Sequence, residues 1–282
     1  MSTKPKIIVI VGPTASGKTS LAIGTARRYH GQIISADSRQ IYRGMTIGTA
    51  QPTKEQRQQV KHHLIGCINP NQPFSLANFI QLTNKKITYI FHKNITPIIV
   101  GGTGLYVSAL IDNYQLPKGE IDLALRKKLE QKTPQQLIAL LRKKDPQTAQ
   151  IIDQNNKRRL VRALEYVLTN KKSFTANQQK NTSNYQYQII GLNPGKEKLE
   201  QNIRQRTKEM IKQGLVAETR ELLKKYSSSL PALQTIGYQE IIQYLDGKIS
   251  LTQAEELINI HTRQYAKRQM TWFKRDQRIK WQ

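Results

Sequence analysis

The segment from Ile7 to Thr19 limits the fold of this chain more than any other. Five β-branched residues, Ile7–Val11, are followed by Gly-Pro-Thr-Ala-Ser-Gly-Lys-Thr and then by a stretch with helical spacing. This matches the G-x-x-x-x-G-K-[ST] phosphate-binding loop in its required context between a strand and a helix. The N–H groups of such a loop converge on an anion, and the N-terminus of the next helix adds partial positive charge. The segment therefore predicts an α/β domain that binds a di- or triphosphate.

The residues of this loop have distinct expected roles. Lys18 supplies a point charge, the Thr19 hydroxyl is a ligand for Mg²⁺, and the glycines let the backbone approach the phosphates closely. We therefore expect Mg²⁺ as the cofactor. The residues predicted to bind the phosphate groups are Gly12, Pro13, Thr14, Ala15, Ser16, Gly17, Lys18 and Thr19.

Later parts of the chain repeat the pattern of a parallel sheet. Short apolar runs at Gln32–Asp37, Thr96–Gly102 and Tyr185–Pro194 predict further strands, and helical segments at Thr19–His30 and Leu76–Lys93 lie between the first three strands. Strands that alternate with helices are typical of doubly wound α/β sheets, which bind ligands at the carboxyl ends of their strands.

A different pattern begins after about residue 113. Leucines with helical spacing extend over Ile121–Leu168, and Thr133-Pro134 and Asp145-Pro146 predict new helix starts within it. A polar segment with loop composition, Lys171–Asn184, follows. We predict a P-loop doubly wound parallel sheet formed by residues 1–113 and 184–282, with an inserted all-helical subdomain at residues 114–183.

The charge of the chain points to a polyanionic partner. Lys plus Arg total 45 and Asp plus Glu total 19, which gives a net charge of +26. Self-repulsion on this scale opposes compact folding, and a nucleic acid is the commonest partner that relieves it. The alternative is a compositional bias, since Asn, Gln and Ile are also abundant.

Cysteine content and hydropathy indicate the compartment. Cys67 is the single cysteine, so the chain has no internal disulfide and no cysteine-based zinc site, and we expect this thiol to be partly buried and inert. No apolar run reaches the length of about 18 residues that a membrane span needs. We expect a cytoplasmic protein with no membrane partner.

The strand ends leave the identity of the phosphate compound open. An ordinary NTPase has a carboxylate that reaches Mg²⁺ after a second strand, but here the run Thr96–Val100 leads into Gly-Gly-Thr-Gly. Asp37 is the acid found at a predicted strand end. One hypothesis is therefore a small-molecule kinase that uses ATP, with Asp37 as the base for the acceptor. Another is a non-catalytic RNA-binding protein that retains a nucleotide loop.

Motifs along nearly the whole chain resemble those of the tRNA dimethylallyltransferase (tRNA isopentenyltransferase) family, bacterial type. In chain order they are GPTASGKT, ISADSRQIYRGMTIGTAQP, HHLIG, FSLANF, PIIVGGTGLY, RRLVRALE, GLVAETREL, QTIGYQE and RQYAKRQMTWFKR. The resemblance implies transfer of a dimethylallyl group from dimethylallyl diphosphate to N6 of the adenosine 3′-adjacent to the anticodon (position 37), with release of diphosphate. It also implies a tRNA anticodon stem-loop as partner, and nothing in it demands more than a monomer.

The same resemblance assigns residues to roles. Asp37 matches the base that accepts the N6 proton, Thr103 lies near the reacting centre, and Arg220 would share the charge of the diphosphate. For Asp37 the alternative is a turn aspartate, and for Arg220 a solvated helix residue. The helical insertion would contact tRNA. The residues that the resemblance implies as tRNA contacts are Asp37, Ser38, Arg39, Gln40, Thr103, Arg126, Arg158, Arg159, Leu160, Val161 and Arg162.

Overall fold

The computed structural model describes residues 4–114, 122–175 and 182–282. The chain divides into two compact units, Met1–Ala109 with Asn184–Gln282 (unit 1) and Leu110–Ser183 (unit 2). Residues 115–121, where the predicted insertion begins, and residues 176–181 of the predicted polar loop lie outside the described residues. No helix in the described part of the chain is both long enough and apolar enough to cross a membrane.

Unit 1 contains a parallel six-stranded sheet, as the strand pattern predicted. Its strands are β1 Lys6–Val11, β2 Gly31–Ser35, β3 His62–His63, β4 Thr96–Gly101, β5 Gln186–Gly191 and β6 Lys280–Trp281. They lie side by side in the order β3-β2-β4-β1-β5-β6. The sequence analysis missed β3 and β6, because a two-residue strand is too short to show an apolar run. The four longer strands and the α/β class are confirmed.

The sheet is buried on the face that packs against the first helix. Ile8 of β1 is in register with Ile98 of β4, which is in register with Ile33 of β2. These side chains form a core cluster with Ala22 and Ile23 of the helix that follows the phosphate loop. This explains the β-branched runs, since a strand between two parallel neighbours and under a helix presents few polar positions.

Eight helices of the described chain begin within unit 1. Ser75 caps the helix that contains most of the predicted 76–93 segment, and its hydroxyl accepts a hydrogen bond from the Asn78 N–H. These helices are α1 Lys18–Arg28, α2 Lys54–Gln59, α3 Leu76–Phe91, α4 Gly104–Ile111, α9 Lys196–Lys212, α10 Leu215–Leu223, α11 Tyr238–Leu245 and α12 Leu251–Phe273.

The described part of unit 2 is helical, as predicted for this region. Its helices are α5 Leu123–Glu130, α6 Pro134–Lys144, α7 Pro146–Ile151 and α8 Lys157–Asn170. The predicted breaks are confirmed, because Thr133 and Asp145 cap the helices that start with Pro134 and Pro146. The apolar faces of these helices form a separate core cluster.

Candidate active site

The carboxyl ends of three neighbouring strands bring the predicted site residues together. The phosphate loop follows β1, Asp37 lies two residues after β2, and Thr103 lies two residues after β4. Two cavities open at this edge. The first, of about 670 Å³, is lined by the loop and is called the phosphate cavity here. The second, of about 320 Å³, is called the adjoining cavity. Residues that line both are Thr14, Asp37, Thr49, Arg206, Met210 and Tyr265.

The phosphate loop has the backbone shape that an anion-binding loop needs. Gly17 has a φ of 87° immediately before α1, and Ala15 has a φ of 62°. At Gly12 (φ 150°) a Cβ would lie 2.8 Å from the Leu192 carbonyl oxygen, so only glycine fits there. The loop residues from Thr14 to Thr19 line the phosphate cavity.

Two half-buried cations, Lys18 and Arg206, face the phosphate cavity. The Lys18 ammonium donates a 2.5 Å hydrogen bond to the Pro13 carbonyl oxygen, and Arg206 Nη1 donates to the Thr14 hydroxyl at 3.0 Å. Burial, with a smaller contribution from the Arg206 guanidinium, lowers the pKa of Lys18 to about 7, while the Asp37 carboxylate opposes this shift. Burial also lowers the pKa of Arg206. A ligand with several negative charges would relieve both desolvation penalties.

Asp37 lies where the two cavities meet. Its Oδ1 accepts hydrogen bonds from the backbone N–H of Arg39 at 2.8 Å and of Gln40 at 3.4 Å, which fixes the carboxylate in an Asx turn. Asp37 is therefore a turn aspartate, as the alternative interpretation of the sequence held. The same residue also lines both cavities.

Thr103 connects Asp37's segment to helix α12. Its hydroxyl accepts a hydrogen bond from the Ser38 N–H at 3.2 Å and makes a further hydrogen bond with Tyr265. Burial, followed by the charge of Asp37, raises the pKa of Tyr265 to about 12. Sequence reasoning missed Tyr265, a buried phenol that lines both cavities.

Arg206, not Arg220, is the arginine beside the phosphate loop. Arg220 lies exposed on α10 and lines neither cavity, so its predicted place at the diphosphate is corrected. A signal for Arg206 was present in the sequence. It lies between Ile203 and Met210 on the face of α9 that is buried, where an arginine needs an ionic or polar partner.

Two further polar side chains hold the loop and were also missed. Gln269 of α12 accepts a hydrogen bond from the Thr14 N–H through Oε1 and donates to the Gly102 carbonyl oxygen through Nε2, each at 2.8 Å. Asn202 of α9 donates to the Ala15 carbonyl oxygen at 3.0 Å. The loop therefore has its shape braced by helices that lie more than 180 residues further along the chain.

Glu218 organises another wall of the phosphate cavity. Its carboxylate accepts hydrogen bonds from the backbone N–H groups of Thr46, Ile47 and Gly48 at 2.9–3.1 Å, and from the Tyr238 hydroxyl at 2.6 Å. Thr46 and Ile47 of the segment that it holds line the phosphate cavity. A carboxylate accepts four such bonds readily, because its two oxygens offer about four lone-pair sites.

The three residues after Asp37 have different environments. Ser38 and Arg39 line the adjoining cavity, and Arg39 Nη1 also donates to the Pro231 carbonyl oxygen at 3.0 Å. The Gln40 side chain accepts from the Ser35 hydroxyl and donates to two backbone carbonyl oxygens. These bonds hold the Gln40 side chain in place at the wall of the phosphate cavity, and its contact with an RNA base stays a prediction.

The candidate tRNA contacts in unit 2 separate into exposed and buried side chains. Arg158, Arg159 and Arg162 are exposed on α8, as predicted for phosphate contacts. The side chains of Leu160 and Val161 are buried in the core of unit 2, so they are corrected to core residues, as their spacing on the helix requires. Arg126 forms an ion pair with Glu165 at 2.5 Å in the same unit.

The single cysteine has a different environment from the one expected. Cys67 is exposed, so the expected partial burial of its thiol is wrong.

Within the described residues no group of three acidic, histidine or cysteine side chains could hold a metal ion by itself. Mg²⁺ commonly takes one or two protein ligands and completes its shell with phosphate and water. Thr19 lines the phosphate cavity and the buried Ser16 hydroxyl has no hydrogen-bond partner, so the residues fit a cation held mainly by a bound diphosphate.

Comparison with known proteins places these observations in a family. The family model described as IPP transferase matches residues 40–276, and the model described as isopentenyl transferase matches residues 5–66. A tRNA dimethylallyltransferase from Acetivibrio thermocellus is 43% identical over 98% of this chain and 90% of its own length. One from Carboxydothermus hydrogenoformans is 44% identical over 98% of this chain and 91% of its own length.

Solved structures give the same result. The tRNA isopentenylpyrophosphate transferase from Bacillus halodurans is 38% identical, with a TM-score of 0.75 over 99% of this chain and 90% of that one. A eukaryotic dimethylallyltransferase acting on tRNA is 29% identical, with a TM-score of 0.85 over 95% of this chain and 70% of that one.

Proposed function

We propose that this chain, which belongs to the IPP transferase family, transfers the dimethylallyl group of dimethylallyl diphosphate to a tRNA adenosine. In full, the C1–O bond of the allylic diphosphate breaks, a bond forms between C1 and N6 of the adenosine 3′-adjacent to the anticodon, and diphosphate and a proton leave. Family membership supports the prenyl transfer and the tRNA substrate. The position on the anticodon loop and the roles of individual residues rest on the arguments below.

The pair of half-buried cations beside the phosphate loop is the observation that carries this proposal on the donor side. An allylic diphosphate ionises readily once the charge on its leaving group is stabilised, and preorganised charges in a closed site do this most effectively. Lys18, Arg206 and the loop N–H groups would hold the diphosphate in the phosphate cavity. Their desolvation in the free protein supports a polyanionic ligand.

Mg²⁺ would add to this stabilisation. The Thr19 hydroxyl and the unpartnered Ser16 hydroxyl would hold it beside the bound diphosphate. When bound, it supplies Lewis-acid neutralisation of the charge on the leaving group. The protein's own contribution is to hold the diphosphate so that C1 points towards the adjoining cavity.

Asp37 would act on the acceptor side. The exocyclic amine of adenine is a weak nucleophile, because its lone pair is delocalised into the ring. A carboxylate that touches both cavities can orient this amine towards C1 and take its proton as the new bond forms. The adenine would have to leave the stack of the anticodon loop to reach the adjoining cavity.

The surface charge supports an RNA partner. The net charge is +26, and Arg158, Arg159 and Arg162 project from one helix of unit 2. We assign these arginines to phosphates of the anticodon stem-loop. One chain lines both cavities, so a monomer would supply the complete site, and its tRNA substrate favours a cytoplasmic location.

The two other hypotheses fit the site less well. A kinase that uses ATP would take a metal-binding carboxylate from the end of β4, and that position holds Gly101, Gly102 and Thr103. A non-catalytic RNA-binding protein would have no use for two half-buried cations beside a phosphate loop.

One experiment separates the three hypotheses. Purified protein is incubated with unmodified tRNA and either labelled dimethylallyl diphosphate or γ-labelled ATP, and the tRNA nucleosides are then separated by mass. We expect a prenylated adenosine with the first donor and no phosphate transfer with the second. ATP turnover without prenyl transfer would support the kinase, and RNA binding without any product would support the non-catalytic protein.

A further inference from the structure

Three lysines surround one exposed tyrosine at the edge of unit 1. Tyr89 lies on the last turns of α3 with 37% of its surface exposed. The ammonium nitrogens of Lys93, Lys86 and Lys61 lie 4.8, 5.7 and 5.9 Å from the centre of its ring. We call these four residues the Tyr89 patch.

The lysines of the Tyr89 patch have no acidic partner among the residues that the structure describes. In the part of the chain that the structure describes, none of the three forms an ion pair with a carboxylate. Their field acts on the neighbouring groups. Burial, then the charges of Lys86 and Lys61, lower the pKa of His63 to about 4, and a hydrogen bond with Lys93 is the main cause of a lowered pKa of Tyr89. The three ammonium groups therefore repel one another, and this repulsion costs free energy while the patch has no counter-anion.

The Tyr89 patch is separate from the two catalytic cavities. Lys61 immediately precedes β3, and Lys93 lies between α3 and β4, so both mark the amino ends of strands. His62 of β3 is in register with Ile33 of β2, and Asp37 lies four residues after Ile33. At a rise of about 3.3 Å per residue, His62 and Asp37 are therefore separated by roughly 13 Å along the strand direction. None of the four patch residues lines either cavity.

A second contact between a basic side chain and an aromatic ring lies at the amino end of β2, the strand next to β3. Arg28 and Tyr29 precede β2, with the guanidinium carbon 5.5 Å from the centre of the Tyr29 ring. Tyr29 is also exposed. Basic side chains interleaved with exposed aromatic rings are the composition of surfaces that bind single-stranded nucleic acid, since ammonium groups take phosphates and rings stack on bases.

We propose that the Tyr89 patch binds the substrate tRNA outside the anticodon stem-loop, with its lysines at the phosphodiester backbone and its ring against a base. This inference rests on the proposed function for its substrate. A lone phosphate would use the lysines but not the ring, and a membrane surface would need an apolar anchor that the patch lacks. A tRNA held at the active site offers its remaining phosphates at high effective concentration, so weak contacts at a second surface add to its affinity.

The test compares two RNAs with one variant. The variant is Lys61→Gln, Lys86→Gln and Lys93→Gln together, and the probes are the full-length tRNA and its isolated anticodon stem-loop. Each lost phosphate contact lowers the slope of log affinity against log salt by about 0.7, so the slope for tRNA should fall by about 2. The slope for the stem-loop should not change. The same three positions changed to arginine keep the charge and should retain the original slope for tRNA.

A second control removes equal charge elsewhere in unit 1. Lys224, Lys225 and Lys248 changed to Gln should alter the tRNA slope much less than the patch variant does. Melting temperatures check that each variant is folded. If the triple variant does not fold, Lys93→Gln alone replaces it, with an expected decrease of about 0.7 in the slope of log affinity against log salt for tRNA.

Three results would overturn the proposal. The first is an unchanged tRNA slope in the patch variant, and the second is an equal change in its slope for the stem-loop. The third is an equal change in the tRNA slope of the control variant at Lys224, Lys225 and Lys248. Loss of binding to vesicles that contain phosphatidylglycerol, with tRNA binding intact, would assign the patch to a membrane instead. Prenyl transfer to the stem-loop, measured with the unaltered protein in one turnover, tests the proposed function separately, because the patch is not required for it.

Discussion

Lys18 makes the affinity for the donor diphosphate dependent on pH. In the free protein its pKa is about 7, because the ammonium group is buried beside Arg206. A bound diphosphate stabilises the charged form, so binding above pH 7 requires that Lys18 take up a proton. The affinity should follow the charged fraction of Lys18 and fall by about fivefold from pH 7 to 8 and by about ninefold from pH 8 to 9.

The assay uses an unreactive thio analogue of dimethylallyl diphosphate, so that binding is measured without transfer. Its last phosphate ionisation lies near pH 6, as in other phosphate esters, and therefore contributes little above pH 7. Isothermal titration in buffers of different ionisation enthalpy should show uptake of about 0.9 proton at pH 8, since about nine tenths of Lys18 is then neutral.

The Lys18→Arg variant is the control, because a guanidinium stays charged throughout this range. Its affinity can be lower, but it should not change between pH 7 and 9. A flat profile for the unaltered protein, or the same slope in both proteins, would refute the assignment of a neutral Lys18 to the free site.

Three further tests, two of them with a comparison variant, address the rest of the site. Asp37→Ala should lower the single-turnover transfer rate by about 100-fold or more, since a general base contributes on that scale. The tRNA affinity should stay within about tenfold. A loss of tRNA affinity with an unchanged transfer rate would contradict the role of Asp37 as the base. Arg206→Ala should lower the same rate by about 100-fold, whereas Arg220→Ala should leave it within about twofold, and equal effects would argue against the corrected assignment. Glu218→Gln should raise the KM for dimethylallyl diphosphate and lower the melting temperature by several degrees, because backbone donors lose their acceptor. Tyr238→Phe removes one of those four bonds and should have the smaller effect on KM; the reverse order would show that the carboxylate does not hold the wall.

Much of the fold was predictable because its determinants are local. The run Ile7–Val11 encodes a strand buried in a parallel sheet, and Thr133 and Asp145 encode helix starts through their own side chains. The phosphate loop is equally local, since its glycines and Lys18 act within eight residues. Asp37 was also identified from its place after a strand. Each of these inferences needs only the residue types and their spacing.

The sequence by itself thus determined the four longer strands of the sheet, the phosphate loop and the place of Asp37 just after β2. The tertiary structure decided which distant side chains complete the site. Arg206 and Gln269 reach the loop from helices 192 and 255 residues beyond Thr14, and no spacing rule connects positions so far apart. It also decided that the Gln40 amide donates to two backbone carbonyl oxygens and that Arg220 is exposed and lines neither cavity. The physical reason is that a side chain's partner depends on which surfaces the packed helices bring together, whereas a strand or a helix cap depends on its immediate neighbours.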